Sequence, residues 1–394
     1  MKILFVVSST FPTQKAYGVT TRESMLAAKN LGHKVYSLSL KSNYSDSDYD
    51  EIVDSLNYFK INKIINILKH ISFRSSNYFS KAAWIIMQDL LLKFNYKAID
   101  EIAPDLIWCR DERTAKTLRK LLPTTTMVVE IHAYPKNRIL NKVAKVSGRN
   151  SLLLAPINQN LIDLLEINYD FMKCIAGMSI SSNLLVNEET VFKFAKSVND
   201  RLKDENFKIG YVGKFFPGGF SKGYEDLIDL AVFYKINQVE RKISLAGGLE
   251  NEVREVEKKL TSLNLNSNDI EITGHLKHSE SLAKVKSLDV IVLPEPRDPN
   301  YLGSPLKSYE ACALGRILVV AECKINRDQF GDAEFIYWYR SKNVESLASV
   351  IDLALRDQLL GEKIIKQIEF ARRHTWEARV KSVLDVISGG KKGI

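Results

Sequence analysis

The residues in this 394-residue chain best suited to chemistry are a few lysines and one glutamate near helix starts in its second half. In "SPLKSYEACALG", Ser304 suits a helix N-cap and Pro305 the first helical position. That leaves the backbone N–H groups of Leu306 and Lys307 at the positive end of a helix, where an anion is attracted. A helix end alone contributes about 0.3–1 kcal/mol, or ~2 when partly buried. A hydrogen bond to a charged group contributes about 1.5–3 kcal/mol, so a bound diphosphate requires lysines as well. Lys214 directly follows an apolar run ending at Gly213, and Lys222 precedes Gly223 at the next helical pattern, so both can project into one mouth. Glu310 lies less than two turns after Pro305 among apolar and small neighbours, where a carboxylate can accept hydrogen bonds from two adjacent hydroxyls, as on a ribose. The plainer alternatives are that Lys307 and Glu310 form an exposed ion pair at i,i+3 spacing and that Lys222 is a solvated first-turn residue.

The elements that must position these groups alternate regularly. "KILFVV", "VYSLSL", "DLIWCR", "TMVVEI" and "SLLLAP" are short apolar runs of the kind buried on both faces of a parallel sheet. Helical periodicity or polar turns separate them, and "TTRESMLAAKNLGHKV" is an amphipathic helix closed at Gly32. Around 187–206 the periodicity dissolves into a charged segment, and the scheme restarts near Phe207 with "FKIGYVG", "KISLAGG", "DIEITGH", "DVIVLP" and "ILVVAE". Two α/β sheets in tandem are expected, with ligands at the carboxyl ends of their strands. The expected domains are 1–200, 201–373, and a final helical segment 374–394 with a mobile tail.

Composition narrows the choices. The formal charge of +9 and hydrophobic fraction of 45% describe a folded chain without the bias of a disordered one. Cys109, Cys174, Cys312 and Cys323 form no C-x-x-C pair, which argues against a zinc knuckle or a disulfide framework and suits a reducing cytoplasm. The opening "MKILFVVSSTFP" reads as a first strand rather than a leader, and no run approaches the ~20 apolar residues of a spanning helix. No G-x-G-x-x-G, P-loop, H-E-x-x-H or G-x-S-x-G pattern sits on a suitable turn, which disfavours nicotinamide, flavin, P-loop and zincin chemistry. Residues 60–97 hold seven Lys or Arg against one acid, Asp89, interleaved with apolar and aromatic side chains. Such a stretch can dock on an anionic membrane surface or simply pack on its own sheet. No recognised nucleic-acid reader accompanies the charge.

The motifs "IGYVGKFF…SKGYEDLIDLA", "ISLAGG", "IEITGHL", "DVIVLP" and "SPLKSYEACALGRILVVA" resemble those of retaining glycosyltransferase family 4. "LFVVSSTFP", "LAAKNLGHKV" and "VVEIHAYP" resemble its first half more loosely. The resemblance implies an α/β fold of GT-B architecture, two facing Rossmann-like doubly wound domains with an interdomain cleft. The first would bind the acceptor and the second the nucleotide sugar, and the last helix would cross back onto the first. It further implies that Lys214, after Gly213, and Lys222 bind the donor diphosphate, with the backbone at Leu306 and Lys307 and the Ser304 turn. Glu310 would hold the nucleotide ribose, while Gly274, His275 and Leu276 would flank the base. His132 would sit near the donor sugar, and Gly18 in a loop facing the diphosphate. Leu302 stands where the family carries a second glutamate that touches the transferred sugar, so that contact must pass to Glu295, Asp298 or the Gly303–Ser304 backbone. Ala16 and Tyr17 stand where many relatives have a closer glycine pair.

The implied activity is retaining transfer of a sugar from a UDP- or GDP-sugar to a hydroxyl acceptor, free or lipid-linked, in envelope or surface polysaccharide assembly. The expected enzyme is cytoplasmic and peripheral at the inner membrane face, and it needs neither a metal nor another cofactor. Bond cleavage places negative charge on the leaving diphosphate, which lysines and a helix tip can stabilise. No well-placed carboxylate nucleophile is apparent, so departure and attack on the same face is favoured over a covalent intermediate. Two other readings remain open at this point: a related epimerase or hydrolase of nucleotide sugars, and a bilobed sugar-nucleotide binding protein.

Overall fold

The structure, a computed structural model, describes residues 1–11, 16–41, 57–58, 89–90, 92–148, 151–202, 206–216, 219–298, 301–303 and 306–389. Ser304 and most of the basic stretch 60–97 lie outside the described residues. The chain divides into two compact units, Met1–Gly177 with Trp376–Ile394, and Met178–Thr375.

The first unit holds a parallel sheet in the order β3-β2-β1-β4-β5-β6-β7. Its strands are β1 (Lys2–Phe11), β2 (Lys34–Lys41), β3 (Asn57–Tyr58), β4 (Leu106–Cys109), β5 (Thr126–Ile131), β6 (Leu152–Pro156) and β7 (Met172–Lys173). All five apolar runs recognised in this half are strands. Ile3 to Val7 of β1 are buried because β2 and β4 flank the strand and helices cover both faces. The helix Ala16–Asn30 stops at Gly32, whose φ of +84° favours glycine. Trp376–Gly389 is a helix of this unit, with Trp376, Arg379, Val380, Val383 and Leu384 buried.

The second unit repeats the plan in the order β10-β9-β8-β11-β12-β13. Here β8 is Lys208–Val212, β9 Lys242–Gly248, β10 Ile270–Gly274, β11 Val290–Leu293, β12 Ile317–Glu322 and β13 Tyr337–Arg340. In both sheets the chain runs outward from a central strand, returns to that strand's other side, and continues the opposite way. The direction reverses between β1 and β4 and between β8 and β11, the places where sheets wound in this way take ligands beyond their strand ends.

One expectation is corrected. The segment 187–206 is not an irregular linker, since Glu188–Asp200 is a helix whose N-cap Asn187 accepts the Thr190 N–H at 2.9 Å. Val191, Phe194 and Val198 recur at i, i+3 and i+7 and are buried in the second unit's core, each contributing about 1.5–3 kcal/mol. Their burial assigns the helix to the second unit, which begins at Met178 rather than 201. Surrounding charges had masked this narrow apolar stripe.

Candidate functional site

In the second unit, Lys214 and Lys222 lie beyond the end of β8, where the chain meets the segment that follows β11. Beyond Val212, the Gly213 N–H donates to the Ala246 carbonyl at 2.8 Å. A Cβ on Gly247 would lie 2.5 Å from the Gly213 oxygen, so β8 and β9 leave the sheet with their backbones nearly touching. Lys214 follows with an exposed side chain. The chain then turns back, and the Lys222 N–H donates to the Phe215 carbonyl at 2.9 Å. Gly223 has φ +82°, and a Cβ there would meet the Glu295 carbonyl oxygen at 2.2 Å. Glycine is therefore required for the 221–223 turn to lie against the segment after β11. The Lys222 ammonium donates to the Tyr301 hydroxyl and lies 3.6 Å from the centre of its ring. Burial draws its pKa down to about 7.

The helix Leu306–Ala313 shows what its small residues and final glycine accomplish. Ala311, Cys312 and Ala313 are fully buried. Gln367, on the helix Leu360–Arg373, donates to the carbonyls of Ala311 at 3.2 Å and Arg316 at 2.9 Å. Small side chains permit that close approach. Gly315, at φ +60°, then turns the chain into β12. Leu306 packs partly buried on the adjoining core.

Glu310 is 1% exposed, so the exposed ion pair does not describe it. Its Oε2 accepts from Lys307 Nζ at 2.5 Å, and its Oε1 meets His278 Nε2 at 2.8 Å. Burial pushes the carboxyl up, but Lys307 and His278 outweigh it and hold the pKa below the ordinary range. Each oxygen keeps a lone pair for a further donor. His278 was missed from sequence, and the neighbouring His275 was chosen instead. His275 is exposed beyond β10, while His278, in the first turn of the helix His278–Ser287, reaches the carboxylate. Gly274 ends β10, with no atom within 3.7 Å of where its Cβ would be, and Leu276 packs partly buried on the core. Glu295 is occupied by Ser341 at 2.5 Å and Lys342 at 3.5 Å.

In the first unit, His132 follows β5 with both ring nitrogens engaged. Arg110 donates from Nη2 to Nδ1 at 3.1 Å, and Nε2 lies 2.8 Å from Glu130 Oε2. A guanidinium can only donate, so Nδ1 is the acceptor and the ring proton sits on Nε2, facing the carboxylate. Burial, reinforced by Arg110, draws the His132 pKa to about 4 against the opposing pull of Glu130. Glu130 Oε1 also accepts from Trp108 Nε1 at 2.8 Å and Arg379 Nη2 at 2.5 Å. Arg379 further donates to Ser24 Oγ at 2.8 Å and the Gly177 carbonyl at 2.9 Å. Although burial disfavours its charge, Arg379 and His132 keep the Glu130 carboxyl well below the usual range. Arg110 and Glu130 were not picked out from sequence. The clues were an arginine directly after a strand end, and a glutamate two residues before His132, on the same side of a strand.

Gly18 corrects a further expectation. It is buried in the first turn of the helix Ala16–Asn30, not in a loop. The Tyr17 carbonyl there accepts from Thr21 Oγ1 at 2.7 Å and Arg110 at 3.1 Å, which anchors the turn to β4.

Among the described residues, no helix is long and apolar enough to cross a membrane. No curated protein matches the chain in sequence. Three solved structures superpose on nearly all of it. Anabaena HepE in complex with UDP and glucose has a TM-score of 0.65 at 13% identity, over 98% of this chain and 99% of that one. Sucrose-phosphate synthase from Thermosynechococcus elongatus has a TM-score of 0.69 at 13% identity, over 99% of each chain. A glycosyltransferase from Rickettsia africae has a TM-score of 0.67 at 15% identity, over 100% of this chain and 99% of that one. This likeness shows the fold, an α/β chain of GT-B type built from two Rossmann-like units. In sequence, residues 193–372, nearly the whole of the second unit, match the family of glycosyl transferases group 1.

Proposed function

We propose that the chain is a retaining glycosyltransferase that moves a sugar from a nucleotide diphosphate donor to a hydroxyl acceptor. The observation that carries this reading is the buried Glu310, held between Lys307 and His278 within the segment that matches the group 1 family. In this reading Glu310 accepts the ribose hydroxyls, and Lys214, Lys222 and the N–H groups of Leu306 and Lys307 meet the diphosphate. HepE holds UDP and glucose, and we take UDP as the nucleotide.

The sugar–phosphate bond breaks with positive charge growing on the anomeric carbon and negative charge on the phosphate oxygen. Fixed cations stabilise that oxygen without reorganising during the reaction, so transfer proceeds without a metal ion. The acceptor hydroxyl attacks from the face the diphosphate leaves, and its proton passes to the departing phosphate oxygen. With both nitrogens engaged and a pKa of about 4, His132 does not act as a base. We assign the acceptor to the first unit and the role to envelope polysaccharide or glycolipid assembly at the inner membrane face, in keeping with the basic stretch 60–97.

Calorimetric titration with UDP, GDP and ADP tests the donor. UDP binds tightest, and Lys214→Ala and Lys222→Met each weaken it. A UDP-sugar panel with EDTA present, read by NMR of the product anomer, tests transfer, retention and metal independence. Binding of none of the three nucleotides would sink the proposal.

A further inference from the structure

The Lys222 ammonium is capped by an aromatic side chain from the segment after β11. It sits 3.6 Å from the centre of the Tyr301 ring and donates to that residue's hydroxyl. The ring reaches this position by folding back over its own chain. A Cβ on Gly303 would fall 2.1 Å from the Tyr301 hydroxyl oxygen, so a side chain at 303 would displace the ring. The backbones beneath are tied together. The Arg297 N–H donates to the Ser221 carbonyl at 2.9 Å, the Gly223 N–H to Ser221 Oγ at 3.0 Å, and the Tyr301 N–H to the Asp298 carbonyl at 3.1 Å. With the two segments joined at Arg297 and Ser221, side-chain rotation alone uncovers the ammonium.

We propose that Tyr301 is a positioning residue that caps the Lys222 ammonium in the unliganded protein and is displaced when the nucleotide diphosphate binds, an inference that rests on assigning Lys222 to the diphosphate. Burial keeps the phenol protonated, with its pKa raised to about 12, so it offers the ammonium a neutral oxygen and a ring face. A phosphate oxygen is a stronger, charge-assisted acceptor, and the exchange favours the donor. Capping also lowers the apparent affinity by the fraction of molecules in which the ammonium is uncovered.

The test is calorimetric titration with UDP of the full-length wild type, Tyr301→Phe, Tyr301→Ala, Lys222→Met and the double variant Lys222→Met/Tyr301→Ala, each checked for folding by thermal melting. Tyr301→Ala should tighten UDP binding roughly five- to tenfold, and Tyr301→Phe, which keeps the ring, by about two- to threefold. The gain should vanish in the Lys222→Met background, and KM for the sugar donor should fall without a rise in kcat. Unchanged or weaker binding by the folded variants, or an equal gain without Lys222, overturns the capping role and leaves the diphosphate assignment intact. Absence of nucleotide binding in the wild type and all variants overturns both. If Tyr301→Ala does not fold, Tyr301→Phe decides the matter.

Discussion

Replacing Glu310 by Gln removes one buried negative charge while keeping the side chain's size, and its consequences can be worked from the geometry. The carboxylate satisfies two donors, Lys307 at 2.5 Å and His278 at 2.8 Å. The Gln carbonyl can serve one of them, while its amide turns a second donor toward the other. A hydrogen bond to a charged group contributes about 1.5–3 kcal/mol, and losing one partner of a buried ion pair costs about 3–5 kcal/mol. The variant, retaining part of the contact, should lose roughly 2–3 kcal/mol, and its Tm should fall by about 4–12 °C. The sign with pH follows from the direction of the shift. The carboxyl lies below its ordinary 4.5 in the folded protein, so its stabilisation is present above pH 4.5 and is lost as pH falls through the folded value. The difference in Tm between wild type and Glu310→Gln should therefore be largest near neutrality and shrink below pH 4.5. UDP affinity should fall about tenfold or more, one charged hydrogen bond's worth. Melting curves from pH 3 to 8 with UDP titration at pH 7 provide the check. Equal melting at every pH together with unchanged UDP affinity would refute the reasoning.

His132 should remain neutral through the physiological range. Its ring signals in NMR should hold steady from pH 8 to about 5 and titrate near 4, where the ordinary value is 6.5. Because the unfolded chain takes up that proton first, stability should decline as pH falls from 6.5 toward 4, and a midpoint near 6.5 would contradict the Arg110–His132–Glu130 arrangement. Gly223→Ala should cost about 2–3 kcal/mol, since a left-handed backbone and a contact with the Glu295 carbonyl oppose it together. Gly32→Ala, at similar φ with nothing within 4 Å, should cost about 1 kcal/mol, and equal losses in urea unfolding would count against the close approach at Gly223. Arg379→Met should cost about 3–5 kcal/mol by stranding the Glu130 carboxylate. Adding Glu130→Gln should recover part of that in thermal melts.

Much of the fold is legible locally. "KILFVV", "TMVVEI" and "DVIVLP" read as strands because each is a short, mostly apolar run, and central strands of a parallel sheet face no solvent on either side. Gly32 and Gly315 end their helices with a left-handed backbone that favours glycine. The helix Glu188–Asp200 is less legible because the three apolar residues that reach the core, Val191, Phe194 and Val198, are interleaved with charged residues and with the exposed Phe192, although they suffice once a core awaits them.

The sequence by itself determined the alternation of the main strands and helices, and the presence of Lys214, Lys222, Lys307 and Glu310 near strand ends and helix starts. Those features depend on periodicity and on neighbours within one or two turns. The tertiary structure decided which groups meet. Glu310 takes its second partner 32 residues away at His278 rather than at His275, and Glu130 finds Arg379 at a separation of 249 residues. Lys222 lies under Tyr301, 79 residues on. A pairing across such distances is set by how sheets and helices pack, and no local pattern of residues encodes it.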